Sequence, residues 1–297
     1  MNESQRVPVA EVLHAGISTT LQDLGRSGAK KYGVPIGGVM DCASMRLANQ
    51  LFGNSPNAAV YEILGGMKLR CMRNVWICLT GAGSATMNGQ SISFHRTIHW
   101  QQGDKLSIFG SARGLWTYLA IPGGWNGGML IGSRSVWPQV GMGRQLRCGD
   151  LLYPKDSSPF SLPSTVKARF TRNDQVPTFP VKDLIIPIRA WAGPQESQFP
   201  ANSVTQFWHA PWTISLNSSR AGYRLEGLSL TAPAATMPSE PIILGSIQVP
   251  PNGQPIILLN DGPTIGGYPK IALVHAQNMD ALRQLPPLSR IQFIRCD

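Results

Sequence analysis

The sequence predicts a mainly β protein with a few short helices, divided into two domains. Glycine and proline are abundant, at 31 and 24 of 297 residues, and only 14% of residues are charged. That balance favours a turn-rich β protein over a helical bundle. The apolar stretches are short and are separated by dense turn signals. A chain of 297 residues is long enough for two domains with real cores. Residues 156–183, with abundant Pro, Ser, Lys and Arg and little periodicity, read as a linker or surface excursion. It separates an N-terminal domain, residues 7–155, from a C-terminal one, residues 184–297.

Composition also narrows the functional classes. A hydrophobic content of 42% excludes wholesale disorder. The net charge of +10 admits nucleic acid, a membrane surface or an anionic substrate. The basic residues are spread out, however, whereas a nucleic-acid footprint clusters on one face. Much of the excess reflects a shortage of acids, only 16 of them, so no nucleic-acid partner is expected. The five cysteines include no C-x-x-C pair, which suits a reducing compartment. Met1 to Ala10 contains no apolar signal core, and no apolar run approaches a membrane span. A cytoplasmic location without a membrane partner is the expectation.

Taken in order, Val12–Gly16 leads into Thr19-Thr20-Leu21-Gln22-Asp23-Leu24-Gly25-Arg26. Asp23 and Arg26 are spaced to pair across a turn, which on residue type alone is a surface loop with one weak salt bridge. Asp41 is a helix N-cap, Ala43, Leu47, Ala48 and Leu51 fall on one helical face, and Gly53 is a natural stop. Asn49 reads as an ordinary polar position inside that helix, and Glu62 precedes the next strand. Val75–Leu79 is an apolar strand. Gly81-Ala82-Gly83 resembles a dinucleotide loop, but such a loop opens a helix, and the residues after it alternate like strands around Asn88-Gly89, a hairpin signal. His95 and His99 share the face of a strand but stand well apart, with no third ligand at metal spacing, so no metal site is expected.

Small residues with arginine mark Gly132-Ser133-Arg134-Ser135 and Gly141 to Arg144. Exposed backbone N–H groups beside a guanidinium favour an oxyanion; the alternative is a turn with a solvated arginine. In Ser218–Gly227, Arg220 and Arg224 bracket Tyr223. An extended backbone puts both on one face as a twin cation suited to carboxylate or phosphate, the alternative being two surface arginines.

The densest stretch is Gly245 to Ala272. Ile247 and Val249 alternate with Gln248 as a short strand, and Pro250-Pro251-Asn252-Gly253 forms a turn. Ile256–Leu259 reads as a strand buried on both faces, and Asn260-Asp261-Gly262 as a second turn. Gly266-Gly267-Tyr268-Pro269 then reads as a rigid loop whose backbone approaches another surface closely.

The phrase Gly245-Ser-Ile-Gln-Val-Pro-Pro-Asn-Gly-Gln-Pro-Ile256, the Gly-Gly-Tyr-Pro that follows, and Thr20-Leu-Gln-Asp-Leu-Gly-Arg26 resemble the C subunit of bacterial ATP-dependent 5-oxoprolinase. The same family takes in Kip-type sporulation kinase regulators and the biotin-dependent carboxyltransferase part of urea amidolyase. The resemblance runs from about Val12 to Phe293. It implies two tandem cyclophilin-like β-barrels and ATP-dependent opening of 5-oxo-L-proline to L-glutamate. It also implies separate A and B subunits as partners, the latter Kip-inhibitor-like, and an ATP site shared with a partner. By motif position and residue type, Arg134, Arg144, Arg220 and Arg224 are the expected anion contacts. Asn252, Tyr268 and Lys270 are the expected catalytic, substrate-orienting residues. The chain departs from the family's usual residues at Gly37 (Ser), Val136 (Thr), Ala221 (Met), and Gly262-Pro263 (Arg-Gln). A Kip-type regulatory binding protein and a carboxyltransferase component are the other readings the resemblance allows.

Overall fold

A computed structural model describes residues 7–156, 160–162, 167–172, 184–233 and 237–296. The fold is mainly β, with short helices at Cys42–Phe52, Ala201–His209 and Met279–Gln284. Two compact units are present: Met1–Arg26 with Gly37–Phe179, and Ser27–Ile36 with Pro180–Asp297. The segment 27–36 therefore belongs with the second unit although it precedes the first helix.

The first unit contains two antiparallel sheets. One has the order Leu151–Leu152, Ala10–His14, Met67–Cys71, Lys105–Phe109, Ser84–Met87 and Gln90–Ile92. The other has the order Ser18–Gln22, Val60–Leu64, Trp116–Ala120, Val75–Gly81 and Thr97–Trp100. Alternation sorts the side chains: Met67, Leu69 and Cys71 point into the core while Lys68 and Arg70 face solvent. Val12, Leu69 and Leu106 from one sheet and Ile63, Ile77 and Leu119 from the other fill that core with Trp100 and Trp125. Trp116–Ala120 is buried throughout, and the helix Cys42–Phe52 packs against it.

Asp41 caps that helix, accepting from the Ser44 N–H at 2.9 Å, and Gly53 ends it with φ of 68°. The buried face is Ser44, Met45, Ala48, Asn49, Leu51 and Phe52. Ala43, expected on that face, is exposed. Asn49 turns inward because its amide donates to the Ala58 carbonyl at 2.9 Å and accepts from Asn54 at 2.9 Å. Asn88 and Gly89, with φ of 51° and 82°, form the two-residue hairpin between Ser84–Met87 and Gln90–Ile92. Gly81–Gly83 joins two strands and opens no helix.

The second unit is a closed seven-membered barrel in the order Ile185–Ala192, Lys270–Val274, Ser246–Gln248, Ile256–Leu258, Gly222–Glu226, Trp212–Ile214, Arg290–Arg295. The parallel pairing of Ile185–Ala192 with Arg290–Arg295, Ile188 opposite Phe293, closes it. Trp212, Tyr223, Ile247, Ile257 and Ile291 fill the interior. Phe207, on the helix Ala201–His209, stacks on Phe293 with ring centroids 4.7 Å apart.

Much of the expected excursion over 156–183 lies outside the described residues. Its described parts pack on the first unit: Phe160 meets Phe52 edge-on at 5.1 Å, and the Arg169 N–H donates to Thr97 Oγ1 at 2.8 Å. Among the described residues no helix is long and apolar enough to cross a membrane.

Candidate functional site

In the second unit the glycine- and proline-rich stretch lines an open cleft together with residues 229–233 and Met237. The Gly253 N–H donates to the Pro250 carbonyl at 2.9 Å, closing the expected turn. Gly253 has φ of 73°, and a Cβ there would lie 2.1 Å from Ser229 Oγ and 2.4 Å from the Leu230 carbonyl oxygen. Only glycine lets the turn seat against residues 229–230. At Gly266 a Cβ would stand 2.8 Å from Gln248 Nε2. The cleft, about 670 Å³, is lined by Leu230, Thr231, Met237, Val249, Tyr268 and Pro269 among others. Tyr268 is 46% exposed at its mouth.

A partly buried polar cluster adjoins the cleft through Lys270, which follows the lining residue Pro269. Lys270 Nζ, on a side chain only 7% exposed, pairs with Glu240. Gln195 Nε2 donates to Glu240 Oε1 at 3.0 Å, and Gln195 Oε1 accepts from the Lys270 N–H at 3.0 Å. The hydrogen bond from Lys270 leads in holding the Glu240 carboxyl below its ordinary range, with Gln195 assisting, against desolvation. Gln248 Nε2 donates to the Tyr268 carbonyl at 3.2 Å, fixing the corner. Sequence reasoning missed Glu240 and Gln248 as site residues.

The expected orienting residues separate. Tyr268 lines the cleft, and Lys270 lies behind it in the ion pair. Asn252 is outside the lining: its Oδ1 accepts from the Gln254 N–H at 3.1 Å and shapes the turn. The twin-cation expectation is corrected. Ser219 and Gly222 exchange backbone hydrogen bonds at 3.1 and 3.2 Å, so Arg220 sits in a turn rather than on an extended strand. Its Nε meets Asp261 Oδ2 at 2.8 Å, with side chains 14% and 5% exposed. Arg224 is exposed on the strand Gly222–Glu226. Two of the sequence departures, Ala221 and Gly262, are neighbours, since a Cβ at 262 would lie 2.7 Å from the Ala221 carbonyl oxygen.

In the first unit the expected surface loop at Asp23 is instead buried, with Asp23 and Arg26 only 2% and 1% exposed. Asp23 Oδ1 accepts from Ser133 Oγ at 2.5 Å, Ser135 Oγ at 2.7 Å and the Gly25 N–H at 2.8 Å, and Oδ2 accepts from the Arg134 N–H at 2.7 Å. Arg26 donates to the Ser135 carbonyl. Burial follows because these serines bring their own hydrogen bonds to the carboxylate. Among the described residues the Nε of Arg134 is buried without a hydrogen-bond partner. Arg144 stands apart, in a bidentate pair with Asp150 at 2.6 and 2.8 Å on the surface. That guanidinium holds the Asp150 carboxyl below its usual range.

A second network, also missed, fixes the entry to the first helix. Glu62 Oε2 accepts from the Met40 N–H at 2.6 Å and from the Tyr118 hydroxyl at 2.9 Å. Burial, reinforced by Glu62, pushes the Tyr118 hydroxyl well above its ordinary value. Among the described residues no group of three or more His, Cys, Asp and Glu is placed to hold a metal ion.

Two β units bearing polar clusters under glycine-rich loops define a class. Residues 32–295 match the family described as carboxyltransferase domain, subdomain A and B, and the chain belongs to that family. It is similar to the C subunit of 5-oxoprolinase from Escherichia coli (strain K12), 35% identical over 291 residues that cover 96% of this chain and 91% of that one. The counterpart from Haemophilus influenzae is 34% identical, over 95% of this chain and 90% of its own. Urea amidolyase of Saccharomyces cerevisiae is 31% identical over 99% of this chain but only 17% of its own length. The crystal structure of Kluyveromyces lactis urea amidolyase superposes with a TM-score of 0.89 at 31% identity, over 98% of this chain and 19% of that one. The chain thus spans about a fifth of that enzyme.

Proposed function

We propose that this chain is the C subunit of a cytoplasmic, ATP-dependent 5-oxoprolinase that opens 5-oxo-L-proline to L-glutamate together with A and B subunits. The observation that carries this reading is the near end-to-end similarity to two bacterial C subunits, at 35% and 34% identity. Urea amidolyase is matched over only 17% of its length.

The chemical difficulty is an unactivated lactam, whose carbonyl resists water and whose nitrogen leaves badly. ATP supplies the phosphoryl group that makes the ring carbon electrophilic. The residues of this chain fit one anionic contact better than a whole nucleotide. Arg134 Nε is a buried donor without an acceptor among the described residues, while Gly81–Gly83 runs from strand to strand and opens no helix to cradle phosphates. On this reading the nucleotide site is completed by a partner polypeptide.

Within this chain, Arg134 holds an oxyanion of substrate or phosphoryl group. Tyr268 orients substrate at the mouth of its cleft, and Lys270, held by Glu240 and Gln195, fixes the strand that bears it. Arg224 is the exposed cation left to steer anions. Arg144 and Arg220 are engaged by carboxylates and support their loops, as Asn252 supports its turn.

The test combines the purified chain with its A and B subunits, ATP and 5-oxoproline, and measures glutamate. The complete mixture forms glutamate, and mixtures lacking any one polypeptide do not. A stable complex that forms no glutamate would overturn this reading. It would favour a Kip-type regulatory binding protein, a reading already raised by the departures at Gly37, Ala221, Gly262 and Pro263.

A further inference from the structure

We propose that Asp23 is the positioning residue of an oxyanion pocket in the first unit, holding residues 132–135 so that Arg134 Nε–H faces an acceptor brought by the ligand. The ligand is a carboxylate or phosphoryl oxygen. Naming 5-oxoproline as its source rests on the function proposed above, whereas the oxyanion chemistry does not.

Three independent features meet here. First, the Asp23 carboxylate, 2% exposed, takes four hydrogen bonds from the neutral donors Ser133, Ser135, Arg134 N–H and Gly25 N–H. A buried charge needs such bonds, and three of these four donors belong to one loop. The loop is tied back as well. The Asp23 N–H donates to Ser135 Oγ at 3.1 Å, the Val136 N–H to the Leu21 carbonyl at 3.0 Å, and Gln22 Nε2 to the Val136 carbonyl at 2.9 Å.

Second, the loop adopts a conformation its sequence disfavours. Leu130 and Ser133 exchange backbone hydrogen bonds at 2.8 and 3.2 Å around Ile131 and Gly132, with φ of 50° and 74°. Glycine accepts such an angle, but a β-branched isoleucine there is strained. Strain of this kind persists only where the surroundings over-determine it, and it concentrates at ligand sites. The Asp23 anchor is what over-determines this loop.

Third, Arg134 Nε is buried and, among the described residues, has no hydrogen-bond acceptor. Orphaned buried donors are rare, and a guanidinium N–H pairs best with an oxyanion. The same residue has its backbone N–H fixed by Asp23 at 2.7 Å. Anchor point and empty donor thus belong to a single residue.

The test uses the intact chain with 15N-labelled arginine. The Arg134 Nε–H signal is assigned by its loss in Arg134→Lys and followed during titration with inorganic phosphate and, separately, with 5-oxoproline. The wild-type signal shifts saturably. Asp23→Asn keeps the fold by circular dichroism but binds roughly tenfold or more weakly, the scale of one charge-assisted hydrogen bond. Ser133→Ala/Ser135→Ala, which keeps the carboxylate and removes two of its donors, also weakens binding and decides the matter if Asp23→Asn does not fold. In the assembled complex, Asp23→Asn raises the KM for 5-oxoproline more than it lowers kcat, a split that general loss of structure would not give. A shift with phosphate alone supports the pocket and counts against 5-oxoproline as its ligand. The proposal is overturned if neither anion moves the signal, or if the folded variants bind as wild type does.

Discussion

His95 stands in the left-handed region, with φ of 59°, and its Nε2 is buried without a hydrogen-bond partner among the described residues. Burial lowers its pKa below the ordinary 6.5. A base with a depressed folded-state pKa binds fewer protons folded than unfolded as pH falls below 6.5. Its contribution to stability is full above that pH and is lost on acidification. His95→Asn tolerates the backbone angle and removes the titration, so it flattens the slope of unfolding free energy against pH below 6.5. Urea melts across that range check this, and an unchanged slope contradicts it. Residues whose roles depend on near neighbours were legible. Asp41 caps a helix through Ser44, and Gly53 ends it. Asp23 was not, because its loop partners lie 110 to 112 positions along the chain, and no local rule separates a buried anchor from a surface acid.

At the level of elements, the turn Pro250–Gly253 and the hairpin at Asn88-Gly89 were readable because glycine supplies angles other residues avoid. Gly253→Ala tests the close approach directly. It forces a Cβ to within 2.1 Å of Ser229 Oγ at φ of 73° and costs about 2 kcal/mol or more. Thermal unfolding then shows a clearly lowered Tm, and a melt like that of wild type contradicts the packing described. Arg220 and Arg224 were misread as a pair because an extended backbone was assumed through residue 221. The reciprocal bonds of Ser219 and Gly222 turn the chain there. Likewise, the helix face was misplaced at Ala43 because periodicity weighs apolar residues and does not see Asn49 satisfied inside. Lys270 was expected to orient substrate, but the sequence did not point to its Glu240 partner, on a short strand 30 positions away.

For the molecule as a whole, composition and turn density were enough to predict a mainly β chain. They do not reveal that segment 27–36 joins the second unit, nor that a parallel pair of strands, Ile185–Ala192 and Arg290–Arg295, closes its barrel. Both depend on contacts between distant stretches, which composition and periodicity leave undefined. On the function proposed above, each unit contributes one element: Arg134, whose backbone N–H is held by Asp23, and Tyr268, which lines the cleft. The central claim is that these groups are working parts of a 5-oxoprolinase assembled with partner polypeptides. The most direct measurement is ATP-dependent glutamate formation by the reconstituted complex carrying Arg134→Ala and Tyr268→Phe in this chain. The account predicts that kcat/KM for 5-oxoproline falls by about a hundredfold while the complex still assembles, as expected for loss of a charged contact and an orienting hydroxyl. Turnover equal to that of the wild-type complex would contradict it.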